Sequence, residues 1–399
     1  MKQLSKKILL GICASLIGAV FIPSQSIAQQ SPVDTRKYVG SAKCEKCHQR
    51  IYRQWKQTLH SKMTQEIAKN PDAVVGDFSK PDPNRPFELK DAIYTIGTQW
   101  KQRYITKIGD ELYILPAQYN LETGEWVPYH PKNWKERPWL KKCAGCHVTG
   151  LNYEKRTFIE PAVGCEACHG PGDQHVKAEV GEYGQTIVNP ANLAVGSSVQ
   201  VCGSCHTRGH DPSGKHGYPV GYKPGKTLFA HYKELKPEEW EKNKSFWPDG
   251  SSKKHHQQYL DWKQSRHARE GVTCISCHTV HSTGAATRYQ TRLPGNVLCT
   301  SCHQQIKKAP TQAHSIHDFG SCVGCHMPRI VKSATSGDLH SHTFRVIQPK
   351  LTIAAGGEKK QPNSCTSCHY HKDQDPAKLQ VALDRVRTQI DWYKGYQKK

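Results

Sequence analysis

The pattern Cys-x-x-Cys-His occurs eight times in 399 residues, and it limits what this chain can fold into more than any other feature. The pairs are Cys44 and Cys47, Cys143 and Cys146, Cys165 and Cys168, Cys202 and Cys205, Cys274 and Cys277, Cys299 and Cys302, Cys322 and Cys325, and Cys365 and Cys368. Each is closed by a histidine: His48, His147, His169, His206, His278, His303, His326 and His369. On one helical turn, two thiols three residues apart and the next imidazole share a face. The thiols can add to the two vinyl groups of a haem while the imidazole approaches its iron. Sixteen of the seventeen cysteines are used this way, and the last, Cys13, lies in the leader. Zinc knuckles and disulfides also use Cys-x-x-Cys pairs, yet neither needs a histidine after every second cysteine. The pattern therefore predicts eight covalently attached haem c groups.

Residues 1–28 read as an export signal: Lys2, Lys6 and Lys7, an apolar run from Ile8 to Ile22, then Ser26-Ile27-Ala28 as a small-residue cleavage site. No later segment is apolar enough to cross a bilayer. A periplasmic or extracellular protein with no transmembrane span after signal removal is expected. The formal charge of +22 would ordinarily point to nucleic acid. Loss of the three leader lysines leaves roughly +19, and sixteen ionised propionates would bring the reduced holoprotein to roughly +3. The basic residues then have their counter-ions, and no nucleic-acid partner is expected.

Hydrophobic residues make up 36%, with 31 Gly and 24 Pro, which is thin for a conventional core of this length. The expected fold is mainly α with much irregular coil, a multihaem cytochrome c whose core is built from packed haems. Ile51, Trp55, Leu59 and Met63 recur every four residues and predict a helix over 44–69. A small β-hairpin-containing insert is expected near 87–130, where Gly109-Asp110 joins two alternating runs. The expected sections are a tetrahaem domain over 29–210, an irregular connection over 211–272, a second four-haem region over 273–372 and a C-terminal helix over 373–399. That helix starts at Asp375-Pro376 and carries the stripe Leu379, Leu383, Val386, Ile390 and Tyr393.

What sits opposite each motif histidine decides between an electron wire and an enzyme. After the leader only Met63 and Met327 are available as methionine ligands, so mostly bis-His haems are expected. Fifteen histidines remain for the second position. Near motifs lie His60, His175, His210, His267, His281, His314, His317, His340, His342 and His371; His130, His216, His231, His255 and His256 are more loosely placed.

Lys43-Cys44-Glu45-Lys46-Cys47-His48, Trp55-Lys56-Gln57-Thr58-Leu59-His60, Cys143-Ala144-Gly145-Cys146-His147-Val148-Thr149-Gly150 and Val163-Gly164-Cys165-Glu166-Ala167-Cys168-His169-Gly170-Pro171-Gly172 resemble the tetrahaem cytochrome that accepts electrons from hydroxylamine oxidoreductase. The resemblance covers roughly 44–206. The second half, with Ser265-Arg266-His267, Cys277-His278-Thr279-Val280-His281 and Cys325-His326-Met327-Pro328, resembles the wider set of exported multihaem cytochromes. The resemblance implies His60, His175, His267, His281 and His342 as distal ligands, and His317 is taken as a sixth from its place beside a motif. It also implies that the haem held by His147 lacks a distal side chain, which makes it the open-site candidate. No motif replaces its histidine with lysine, as nitrite-reducing relatives do, and only thirty residues follow His369, too few for the long helices and crosslinking tyrosine of hydroxylamine oxidoreductase.

The reading is an exported octahaem cytochrome c that carries electrons along a chain of mostly bis-His haems, in the manner of anaerobic respiration. The alternative is a multihaem oxidoreductase acting on hydroxylamine, nitrite, tetrathionate or a similar small nitrogen or sulfur species at one five-coordinate haem. Redox partners are expected to be a quinol-linked donor or other cytochromes, with a homo-oligomer as a further possibility.

Overall fold

Short polar caps, rather than long helices, organise this chain in a computed structural model that describes residues 35–286, 288–308 and 320–388. The signal segment, His314, His317, Ile390 and Tyr393 lie outside the described residues. Most Cys-x-x-Cys-His motifs begin on a helical turn: Ser41–Trp55, Cys165–His169, Val195–Gly203, Cys274–Cys277, Val297–Thr300 and Cys322–His326. The second motif uses a 3-10 turn over Ala144–Cys146. A side-chain oxygen starts several of these turns. Ser41 Oγ accepts from the Cys165 N–H at 2.9 Å, Asn296 Oδ1 from Cys322 at 2.8 Å and Asn363 Oδ1 from Cys365 at 2.9 Å. The third and seventh motifs are thus held by bonds from elsewhere in the chain, and the eighth by a residue just before it.

The first helix ends at Trp55, not near residue 69 as its periodicity suggested. Residues 56–63 turn instead, and Thr64–Glu66 becomes a strand. That strand belongs to a five-stranded antiparallel meander: β1 Thr64–Glu66, β2 Tyr94–Ile96, β3 Lys101–Ile108, β4 Glu111–Asn120 and β5 Glu125–Pro128. The expected hairpin is β3–β4, with Ile108 opposite Glu111 and Gly109 at φ 59°, a left-handed value that favours glycine. The sheet therefore starts earlier than the insert predicted over 87–130, because β1 is too short to show an alternation of its own.

Both faces of the sheet are covered. On one side Ile96, Ile105, Leu112 and Ile114 pack on Trp139, Leu140, Ala144 and Val148, the segment carrying the second motif. On the other, Tyr104, Leu115, Ala117 and Trp126 meet Phe87 and Ala92, with Phe78 beside them. Because both faces are covered, neighbouring Tyr104 and Ile105, on opposite sides of the sheet, are both fully buried. The sheet is thus a rigid wall behind the second motif. Tyr218 closes the motif's other flank: its ring lies so close to Gly145 that an added Cβ would fall 2.1 Å from it, and its hydroxyl donates to the Leu140 carbonyl at 2.7 Å.

Residues 211–272 are largely irregular yet supply Phe246, Tyr259 and Leu260 to a cluster with Val199. Near the end of the chain, Pro376–Thr388 packs beside Pro349–Ala355, burying Leu379.

Candidate haem-binding sites

Imidazoles bound to opposite faces of one iron each have a metal–nitrogen bond of about 2 Å, so their ring centres stand about 6 Å apart. Five motif histidines have such a partner. His48 and His175 are 6.3 Å apart, His206 and His60 6.2 Å, His169 and His281 5.9 Å, His303 and His267 6.0 Å, and His278 and His342 6.3 Å. These separations are too wide for ring stacking and fit one intervening metal. Each of the five distal candidates expected from the resemblance is in a pair.

Hydrogen bonds fix which ring nitrogen is left to bind. A carbonyl can only accept, so Nδ1 must be the protonated nitrogen in His169 toward Val188 O at 2.7 Å, His278 toward Tyr289 O at 2.9 Å and His342 toward His340 O at 3.2 Å. Nε2 keeps its lone pair for a metal. Burial adds to this by disfavouring the imidazolium. It holds His60 down to about 4, helped by His206, and His342 to about 3, helped by His278.

The thiols report how the motifs adjoin. Cys44 lies beside Cys165, Cys146 beside Cys205, and Cys202 beside Cys274. Cys299 lies beside Cys322 in the same way, while Cys277 senses Cys302, and Cys325 senses Cys368. The motifs follow one another as first, third, fourth, fifth, sixth, seventh and eighth, with the third linked to the fourth through Cys168 and Cys205 and the second joined at the fourth. All sixteen thiols are free cysteines. Among the described residues, no three His, Cys, Asp or Glu side chains converge as a zinc cage would require. Thiols splayed along a turn beside one imidazole instead fit a flat macrocycle.

His147, like His326 and His369, is in none of these five ring pairs among the described residues, and its buried Nδ1 lacks a hydrogen bond. Burial, then Arg103 and Lys101, hold it down to about 4. Near it stand His255 and His256, 4.6 Å apart, with Arg208. Their distance from any motif places these two histidines only loosely in the sequence, and the Lys-Lys-His-His run at 253–256 is the one local signal for them. His326 closes its helical turn, and His369 lies 4.0 Å from Tyr370.

These sites define a multihaem c-type cytochrome. Its N-terminal half resembles cytochrome c554: the family model for cytochrome c554 and c-prime matches residues 43–104 and 122–170, and a doubled CXXCH motif model matches 267–308. The outer cell wall cytochrome OcwA has a similar structure, with a TM-score of 0.72 and 28% identity over 87% of this chain and 86% of that one. Cytochrome c-554 of Nitrosomonas europaea is 25% identical over 168 residues, 40% of this chain and 48% of that protein. The dissimilatory sulfite reductase MccA of Wolinella succinogenes is 21% identical over 252 residues, 54% of this chain and 31% of that protein. The chain thus spans less than half the length of these two curated relatives. Among the described residues no helix is long and apolar enough to cross a membrane.

Proposed function

We infer that the protein is an exported octahaem electron carrier. The sixteen motif cysteines hold eight haem c groups, the eight motif histidines are proximal ligands, and His60, His175, His267, His281 and His342 are distal ligands, with His317 as a sixth. The observation that carries this reading is the set of five imidazole pairs with centres 5.9–6.3 Å apart. Saturating both axial positions leaves an iron able to exchange electrons but unable to take a substrate, which is what a carrier needs. The protein's part is to hold the motifs in contact from the first to the eighth and to tune each potential by ligand and burial.

Export and an outer-surface location are supported by the leader and by the likeness to an outer cell wall cytochrome. Partners would be other redox proteins docking at exposed motif edges, such as that around Cys47 and His48. A second reading, catalysis on a small nitrogen or sulfur species, is favoured at one place only, the motif of His147.

The test is to purify the mature protein, count haems by intact mass and pyridine haemochrome, and titrate the reduced form with carbon monoxide. Eight haems, with carbon monoxide binding to none or one, are expected. Fewer than eight haems, or carbon monoxide on several, would overturn the carrier.

A further inference from the structure

Three half-buried basic side chains lie beside the second motif without a carboxylate partner. Arg103 gives its Nε and Nη2 hydrogens to Gln118 Oε1 at 3.0 and 2.8 Å and lies 3.6 Å over the Tyr129 ring. Arg208 donates to Gln257 Oε1 at 3.1 Å and to the His255 carbonyl at 3.2 Å. Lys101 donates to the Ser333 carbonyl at 2.5 Å. Among the described residues none of the three is in an ion pair. The carboxylate that acts on Lys101, Asp338, is already taken up by the N–H groups of Ser333, Ala334 and Thr335 at 2.6–3.0 Å.

Clustered charges of one sign, partly withdrawn from water, are unfavourable unless an anion joins them. The two propionates of one haem would offset two of the three. The same cluster holds His255 and His256, both kept neutral: burial and then Lys101 act on the first, burial and then Arg208 on the second. His256 sits at φ 49°, a strained left-handed value for a non-glycine residue, and its electrostatic neighbours include both His147 and His206. Strain, neutral imidazoles and unpaired cations thus gather around a motif histidine that is outside the ring pairs.

We propose that Lys101, Arg103 and Arg208, with His255 and His256, form a binding site for a small free oxyanion beside the haem of His147. Arginine forks suit the flat array of oxygens in such an anion, the lysine adds a point charge, and the imidazoles are placed to exchange hydrogen bonds with it. This rests on the preceding inference that the second motif carries haem.

The experiment uses the oxidised mature holoprotein, titrated separately with nitrite and sulfite and followed by the Soret band and by calorimetry. One saturable site per chain is expected. Arg208→Gln and Lys101→Met should each weaken it about tenfold or more at unchanged haem content, as loss of a charge-assisted bond predicts. If either variant fails to load haem, the other and competition by sulfate on the wild type still decide. A wild type that binds neither anion, or variants that shift only a haem potential because the cations serve propionates, would overturn the site. A peptide mass without haem on Cys143 and Cys146 would instead overturn the underlying reading.

Discussion

The imidazole planes of His60 and His206 stand 88° apart across a 6.2 Å gap, whereas those of His48 and His175, at nearly the same spacing, are within 5° of parallel. His267 and His303 are also crossed, at 85°, while His169 with His281 and His278 with His342 lie at 11° and 26°. Parallel planes split the two iron d orbitals of π symmetry, and crossed planes leave them nearly degenerate. The oxidised protein should therefore give two strongly anisotropic low-spin ferric signals with a single large g value and three rhombic ones from these five sites. Electron paramagnetic resonance checks this, and His60→Ala should delete one of the two large-g components. Loss of a rhombic signal instead would contradict the pairing.

Asp261 holds the segment that presents His342. Its Oδ1 accepts from the Ser252 N–H and hydroxyl at 2.8 and 2.7 Å, and its Oδ2 accepts from the Ser341 hydroxyl and the His342 N–H, both at 2.8 Å. Asp261→Asn turns one acceptor into a donor facing donors. A loss of about 1–3 kcal/mol is expected, with carbon monoxide gaining access to the reduced haem of His278 as His342 loosens. Thermal unfolding and carbon monoxide stoichiometry read the two effects separately.

Glu166, inside the third motif and fully buried, accepts from the N–H groups of Val39 at 3.0 Å, Gly40 at 2.7 Å and Gly172 at 2.7 Å. It ties the entry to the first motif onto the third. Glu166→Gln should cost about 1–3 kcal/mol for the same reason, without changing the residues that attach haem. An unchanged unfolding midpoint would show that the junction is held by other contacts.

Anion binding beside His147 should depend on pH through Lys101. Burial first and Arg103 second, with Arg208 and Lys332, lower its amine from the ordinary 10.5 to about 6, against the pull of Asp338. Below about pH 6 the free protein already carries this proton. Above it, the proton must be taken up as the anion arrives and raises the amine's affinity for it. Binding should weaken as pH rises from 6, by up to about tenfold per unit. Burial, with Lys101 next for His255 and Arg208 next for His256, holds both imidazoles well below the ordinary histidine range. Calorimetry in buffers of different ionisation enthalpy should find up to one proton absorbed; none absorbed near pH 7.5 would exclude Lys101 as the source.

Covalent chemistry was the most legible part of this chain, because Cys-x-x-Cys-His is a local pattern and Gly109-Asp110 is a local turn. Which histidines face one another was not. His60 meets His206, His169 meets His281, and His278 meets His342, so each pair depends on where distant segments travel. The outer strands at Thr64–Glu66 and Tyr94–Ile96 are too short to show a period, and the four-residue repeat from Ile51 ran past the helix because Thr64 pairs with Ile96. Lys101, Arg103 and Arg208 are scattered along the chain among many other basic residues, and only the fold draws the first two beside His147 and the third beside His256.

One consequence follows from the contacts of the fourth motif, whose Cys205 meets Cys146 while Cys202 meets Cys274. In the proposed carrier, a branch that leaves the line at an inner motif, rather than at a terminus, would be supplied from either direction. Whichever end a donor docked on, the second motif would stay one step from the through-route, so a change of donor would not require redesigning the tap.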